Sequence, residues 1–245
     1  MARQPDHVID RGLVESIPAR RVRWKAAFRL VPSRFPPIDI FERIAAPQDW
    51  QALYELEALT NPRLRQEVGE ISLVPPARRV TGPGATVVMA PFTHASPARP
   101  SRFSAGAYGL YYAGMKFETA LREVAFHMGR FYGATNDGPH DEAYRTYQGP
   151  IDSILHDLRK GDFARFLDPD PANYGPAQAL GRQLRDAGSN GIVYPSVRHA
   201  GGQCVGAFWP DVVGIPRQTK HIMLKWDGAR VSAWFDYETE KWGRL

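Results

Sequence analysis

Three blocks between residues 102 and 198 combine residue types that suit an anionic ligand with a bond to be broken beside it. They are Arg102-Phe103-Ser104, then Gly109-Leu110-Tyr111-Tyr112-Ala113 followed by a helix with Glu123, then the segment Gly-Ile-Val-Tyr-Pro-Ser-Val-Arg at 191–198. A guanidinium offers a two-point fork to phosphate oxygens, and a carboxylate can stabilise positive charge or act as a base. A nucleotide is therefore the first ligand to consider.

Each of these side chains also has an ordinary structural role open to it. Arg102 could be a surface arginine, Glu123 a solvated helix residue, and Ser196 simple turn chemistry after a proline. Glu123 and His127 have the spacing of a metal-binding pair on a helix. Two ligands are too few without a third nearby, so we expect no metal site.

The tyrosine pair at 111 and 112 falls in a predicted strand, where adjacent side chains point to opposite faces. One ring should therefore lie in the core, and the other is free to stack on a base or a pyridine ring. We favour Tyr112 for the stacking position.

Three helices are predicted from residue spacing. Residues of one helical face recur in the stretch of about 116–130, namely Phe117, Ala120, Leu121, Val124 and Met128. This is the i, i+3, i+4, i+7, i+11 pattern of an amphipathic helix, with Glu123 off the centre of the apolar stripe. A second helix is predicted over about 175–187, with Ala179, Leu180 and Leu184 inward and Gly188 just past its end. A third, which we place near Trp50, Leu53, Tyr54 and Glu57, follows Pro47.

Strands are predicted where apolar and β-branched residues cluster between turn residues. The segments are 27–31, 71–74, 85–90, 191–194, 203–208, 221–226 and 230–235, and a proline-rich loop over 91–100 precedes Arg102. The last two strands are expected to pair as a hairpin across Asp227-Gly228. Strands outnumber helices and end in a hairpin, so the fold class is α+β, a single mixed domain of mostly antiparallel strands with packed helices.

Composition limits the class of protein further. The 245 residues, 43% hydrophobic, fit one domain, and the net charge of +5 favours an anionic partner. We place a basic N-terminal arm at 1–25 and the catalytic domain at 26–245. The single cysteine, Cys204, excludes an intrachain disulfide and favours a reducing compartment. No segment has the length of a membrane helix or a signal peptide, so we expect a cytoplasmic protein.

The blocks become recognisable as a set. Arg102-Phe103-Ser104, the run 110–113 with 120–124, and 191–198 followed by Gly201-Gly202 resemble the RES domain, named for its arginine, glutamate and serine. The resemblance covers about 100–210, and Phe28-Arg29-Leu30-Val31 resembles the short opening strand of these proteins. Family members are mostly toxins of bacterial toxin–antitoxin pairs.

The resemblance implies a fold similar to that of ADP-ribosyltransferases and NAD as substrate. Members cleave the nicotinamide–ribose bond and pass ADP-ribose to water or inorganic phosphate, while some have been described as transferring it to a protein. The implied catalytic residues are Glu123, Arg102 and Ser196, and the implied NAD-binding residues are Arg29, Arg102, Tyr112 and Ser196. No cofactor is implied beyond NAD as substrate, with phosphate as a candidate co-substrate.

The implied partner is a cognate antitoxin, itself expected to be a DNA-binding protein, without a membrane or direct nucleic-acid contact. The chain departs from the family pattern at two places. Many members have tryptophan and asparagine where this chain has Phe103 and Ser104, which leaves the acceptor open. Some carry a serine where it has Gly175, so the serine role is expected to rest on Ser196. A basic nucleic-acid-binding module is the competing hypothesis, although interleaved aromatic and basic residues or a helix-turn-helix pattern, which it predicts, are not apparent.

Overall fold

A computed structural model describes residues 10–35, 69–135 and 137–245. The helices, in chain order, are α1 (Arg11–Ser16), α2 (Ala85–Thr93), α3 (Phe117–Thr135) and α4 (Gly175–Asp186). The strands are β1 (Ala19–Pro32), β2 (Tyr111–Gly114), β3 (His140–Asp157), β4 (Gly191–Pro195), β5 (Gln203–Ala207), β6 (Arg217–Trp226), β7 (Val231–Asp236) and β8 (Lys241–Arg244). None of the described helices is long and apolar enough to cross a membrane.

The eight strands form one sheet in the order β1-β2-β5-β4-β3-β6-β7-β8, and β1 also pairs with β3. The pairings of β1, β2, β5, β4 and β3 therefore close on themselves, with β6, β7 and β8 extending from β3. Among the described strands only β3 and β4 run parallel, while the other pairs are antiparallel. The α+β class with a mostly antiparallel sheet is confirmed.

The N-terminal boundary differs from the expected one. The basic segment before residue 26 is folded from α1 onward, and β1 begins at Ala19. Val22 and Trp24 are buried and alternate with exposed Arg21, Arg23 and Lys25, which is the period of a strand that has one solvated face. In the sequence, the many arginine and lysine residues of this segment favoured a solvated arm over a strand. The first nine residues of the predicted arm lie outside the described residues, as does the predicted helix near Trp50.

Two predicted strands are helical instead. The segment 71–74 forms a single 3-10 turn, and 85–90 belongs to α2, which extends through Pro91 to Thr93. The buried residues of α2 explain the second error, because Ala85, Val88, Met89 and Phe92 follow the i, i+3, i+4, i+7 spacing of one helix face. A short apolar run rich in valine suits a buried helix as well as a strand. Only the part of the predicted loop after α2 is non-helical.

The helices and the terminal hairpin predicted from clear patterns are confirmed. Helix α3 extends five residues beyond the predicted end, and α4 ends at Asp186 with Gly188 at a φ of +83°. In α4, Leu180 and Leu184 are buried as expected, but Ala179 is exposed. Ala177 and Gly181 take the inward positions instead.

The core consists of three clusters of buried side chains that meet at the sheet. One lies between α2 and strands β1, β2, β4 and β5, and a second lies beneath α4. The third joins α3 to β6 through Leu121, Met128, Ile222, Leu224 and Trp226. Helix α3, which carries Glu123, therefore packs against both β1, at the start of the sheet, and β6, in its extension.

Candidate functional site

A cavity of about 390 Å³ lies between β1, β2 and α3. Its volume is within the range of small-molecule sites. The lining residues are Phe28, Arg29, Leu30, Pro32, Pro100, Ser101, Arg102, Tyr112, Ala113, Gly114, Ala120, Glu123, Val124, His127, Met128, Tyr144, Tyr174, Tyr194 and Cys204. Four of the five residues singled out from the sequence thus share one cavity; Ser196 is not among its lining residues.

Glu123 is placed on the cavity wall by the second turn of α3, and Ser196 lies behind it. The Ser196 hydroxyl donates to Oε1 of Glu123 at 2.6 Å. The same oxygen of Ser196 accepts the backbone N–H groups of Arg198 and His199, at 3.1 and 3.0 Å. Ser196 therefore holds the carboxylate of Glu123 from behind the cavity wall.

A second donor to Glu123 comes from Cys204 on β5. Its thiol lies 3.7 Å from Oε1, and the residue is only 3% exposed. Burial, followed by the charge of Glu123, raises the pKa of the Cys204 thiol well above its ordinary value. The thiol remains protonated and available as a weak donor.

Arg102 lies in the turn between Ser101 and Ser104 and is 7% exposed. Its guanidinium donates to the carbonyl of Asp168 at 2.8 Å and to the hydroxyl of Tyr174 at 3.1 Å, and it stacks on the Tyr174 ring at 4.3 Å. These contacts fix the positive charge at the cavity wall. Arg102 is a buried, oriented cation and not the isolated surface arginine of the alternative interpretation.

Arg29 supplies a second cation, from β1. One terminal nitrogen donates to the carbonyl of Tyr112 at 3.0 Å, and the guanidinium lies 4.8 Å from the centre of the Tyr111 ring. Its Nε is buried and has no hydrogen-bond partner among the described residues. Burial lowers the pKa of Arg29 from its ordinary value. A buried donor without a partner is costly, and an anion in the cavity would satisfy it.

The structure separates the two tyrosines as expected. Tyr111 is 1% exposed and belongs to the core, while the ring of Tyr112 lines the cavity. The Tyr112 hydroxyl accepts the backbone N–H of Phe103 and donates to the hydroxyl of Ser101. Burial raises the pKa of Tyr112 to about 12, so the phenol stays neutral. Tyr112 thus also holds the turn that carries Arg102.

His127, one turn beyond Glu123 on α3, adds a neutral group to the cavity wall. Although the residue is exposed to solvent on one side, desolvation of its imidazole and the nearby positive charges of Arg198, Arg130 and Arg102 lower its pKa to about 4. The imidazole is uncharged near neutral pH. Among the described residues, no group of three or more His, Cys, Asp or Glu side chains could hold a metal ion.

Sequence reasoning missed several of the residues that complete this site. Cys204 and Tyr194 are a cross-strand pair of β5 and β4, and both line the cavity. In the sequence each lies within an apolar strand, where it is indistinguishable from core. Tyr174, which holds Arg102, comes from the turn before α4 and carries no sequence signal of its own.

The fold and the cavity define an α+β protein with two buried guanidiniums and a held carboxylate at one site. The RES domain model matches residues 76–227, which is more than half of the chain. The chain therefore belongs to the RES domain family. This confirms the resemblance inferred from the three blocks.

Two further proteins show similarity over most of the chain. Uncharacterized protein y4oC of Sinorhizobium fredii (strain NBRC 101917 / NGR234) is 27% identical over 213 residues, which span 86% of this chain and 87% of that protein. The crystal structure of the M. tuberculosis MbcT–MbcA toxin–antitoxin complex has a chain that is similar with a TM-score of 0.47 and 11% identity. That similarity covers 91% of this chain and 96% of the other.

Proposed function

We propose that this protein is an enzyme that consumes NAD by cleaving the nicotinamide–ribose bond, and that it acts as the toxin of a bacterial toxin–antitoxin pair. One observation carries the proposal. The carboxylate of Glu123 lines the same cavity as the buried guanidiniums of Arg29 and Arg102. Membership in the RES domain family supports the choice of NAD among anionic ligands with a labile bond.

The two arginines match the charge of the substrate. The pyrophosphate of NAD carries two negative charges, and Arg29 and Arg102 supply two positive ones in the same cavity. Charge-assisted hydrogen bonds to phosphate oxygens are strong, and the unpartnered Nε of Arg29 is available for one. The Tyr112 ring offers a stacking surface in the same wall.

Glu123 has the chemistry that the bond cleavage needs. When the bond between C1 of the ribose and the ring nitrogen breaks, its electron pair moves to that nitrogen, and nicotinamide leaves as a neutral pyridine. The ribose becomes oxocarbenium-like, and a carboxylate beside C1 stabilises its positive charge. An acceptor O–H then forms the new bond to C1, and Glu123 can take the acceptor's proton.

The groups around Glu123 suit this role. Ser196 and Cys204 both approach Oε1, at 2.6 and 3.7 Å, and so fix the carboxylate before substrate binds. A group held in place costs less reorganisation when charge develops beside it. Ser196 therefore acts on the reaction through Glu123, while the acceptor is water, inorganic phosphate or a protein side chain.

In a cell, depletion of NAD would arrest growth, and a cognate antitoxin would have to neutralise the enzyme. We propose a DNA-binding protein as that antitoxin and the cytoplasm as the site of action, because NAD and the bacterial chromosome are both found there. Both expectations derive from membership in the RES domain family.

The test is replacement of the catalytic carboxylate. Glu123→Gln should reduce nicotinamide release from NAD by at least about 100-fold, because the amide stabilises no positive charge and takes no proton. Nicotinamide is quantified by chromatography, and expression of the same variant should no longer arrest growth. Glu238→Gln, at an exposed position of the β7–β8 turn, is the matched control and should retain full activity.

The acceptor is identified by analysing the products with and without inorganic phosphate. ADP-ribose indicates water, a phosphorylated ADP-ribose indicates phosphate, and a protein-linked product indicates transfer. Wild-type protein that releases no nicotinamide under any of these conditions would refute the proposed function. Full turnover by Glu123→Gln would remove Glu123 from the reaction.

A further inference from the structure

We infer that His199 is a positioning residue that holds the catalytic glutamate in place through Ser196, with Thr119 as its anchor on α3. The inference rests on the proposed function, since it gives His199 a task in that reaction. His199 itself lies outside the lining of the cavity. His199 belongs to the turn between β4 and β5, within the segment 196–202.

The turn is organised around the hydroxyl of Ser196. Its oxygen accepts two backbone N–H groups, from Arg198 and His199, and its proton is directed to Oε1 of Glu123. Two donors into one hydroxyl oxygen polarise the O–H bond and strengthen the hydrogen bond that it donates. Any movement of the His199 backbone therefore displaces the hydroxyl oxygen of Ser196, which contacts the carboxylate of Glu123 directly.

The side chain of His199 fixes this turn to the helix that carries Glu123. Its Nδ1 lies 2.9 Å from the hydroxyl oxygen of Thr119, which is fully buried at 0% exposure. Its Nε2 lies 4.0 Å from Glu118, which is itself paired with Arg122. Thr119 precedes Glu123 by four residues, so the two lie one above the other on the same face of α3.

Gly202 closes the turn and leaves no space for a larger residue. A Cβ there would lie 2.8 Å from the Thr119 hydroxyl oxygen and 2.9 Å from Nδ1 of His199. The backbone N–H of Gly202 also donates to the carbonyl of His199 at 2.8 Å, and its carbonyl accepts the N–H of Ser196. The His199–Thr119 contact and the Ser196 hydrogen bonds are thus parts of one compact turn.

These contacts predict a defect in catalysis more than in binding. Displacement of a catalytic group by about 1 Å can cost about 100-fold in rate even when the mutation is remote from the reacting atoms. His199→Ala should therefore lower kcat for nicotinamide release by about 10- to 100-fold, while KM for NAD changes by less than about 3-fold. His199→Asn, whose amide can reach the position of Nδ1, should restore most of kcat.

Two further variants test the contact without removing His199. Thr119→Val keeps the volume and removes the hydroxyl, and it should reproduce the loss of kcat, with no additional loss in the double variant His199→Ala/Thr119→Val. Gly202→Ala should separate the same pair. Gly138→Ala, where an added Cβ meets nothing within 4 Å, is the control for that substitution and should retain wild-type kcat.

Hydrogen exchange of the backbone amides gives a readout that needs no enzymatic activity. The Arg198 and His199 amides should exchange slowly in the wild type and at least about 10-fold faster in Thr119→Val, because their acceptor becomes mobile. Unchanged exchange together with unchanged kcat in Thr119→Val would overturn the inference, as would additive losses in the double variant. A wild type inactive on NAD would refute the proposed function, and amide exchange would still decide whether Thr119 fixes the turn.

Discussion

At the scale of single residues, the site depends on how a carboxylate is held. Glu123 receives its two donors from residues 73 and 81 positions away in the chain, Ser196 and Cys204. The serine could be selected from the sequence because it belongs to a recognisable block. The cysteine could not, since a cysteine inside an apolar strand is most simply interpreted as core. Long-range contacts of this kind are set by strand register, which single positions do not reveal.

The state of Cys204 provides a prediction at this scale. Its pKa is raised by burial and by the charge of Glu123, so almost no thiolate should form in the folded protein. Because the thiolate is the reactive species, a disulfide reagent should modify the native protein slowly, and the rate should not rise between about pH 7 and pH 9. In denaturant the single thiol should react rapidly and to one equivalent.

Absorbance of the released reagent measures the reaction. Glu123→Gln removes one cause of the raised pKa of Cys204 and leaves the burial of that thiol in place. In the folded variant, Cys204 should therefore react faster than in the folded wild type but more slowly than in the unfolded chain. Rapid modification of the native wild type, with a rise near the ordinary thiol pKa of about 8.5, would show that Cys204 is accessible and ionises normally.

At the scale of elements, the predictions succeeded where the sequence shows a clear helical periodicity of apolar residues or a clear turn signal. Helix α3 has a strong apolar stripe, and the β6–β7 hairpin has an Asp-Gly turn, so both were found from the sequence. Strand β3 was missed because residues 144–147 are all buried, so no alternation of inward and outward positions marks them in the sequence. The cavity itself could not be predicted, because it depends on where β1 and α3 meet.

Helix α4 shows how an element positions a site residue. Gly181 packs directly on the turn that carries Arg102, and a Cβ added there would lie 2.2 Å from the carbonyl oxygen of Phe103. We predict that Gly181→Ala lowers the free energy of unfolding by about 1–3 kcal/mol, because either the helix or the turn must move. The displaced turn should also weaken NAD turnover.

The urea midpoint and the rate of nicotinamide release measure the two effects. Gly175→Ala is the matched control on the same helix, since a Cβ at that position meets nothing within 4 Å. It should change stability by less than about 0.5 kcal/mol. Equal stability of the two alanine variants would contradict the close packing of α4 on the Phe103 backbone.

At the scale of the whole molecule, the extension of the sheet supports the helix that carries Glu123. Strand β6 contributes Ile222, Leu224 and Trp226 to the cluster that also contains Leu121 and Met128 of α3. The inner face of α3 is therefore covered by a part of the chain about a hundred residues later. The terminal hairpin and the helix that carries Glu123 should unfold together.

This coupling predicts the outcome of a core truncation far from the cavity. Leu224 is fully buried, so Leu224→Ala should lower the free energy of unfolding by about 2–5 kcal/mol through lost burial and the space left behind. Within each protein, far-UV circular dichroism and tryptophan fluorescence should report one common urea midpoint, because one cooperative unit unfolds, and that midpoint should be lower in the variant. Ile154→Ala, at a residue 55% exposed on β3, is the control and should cost less than about 1 kcal/mol. Two separate transitions, with the hairpin lost before α3, would show that the extension is an independent unit.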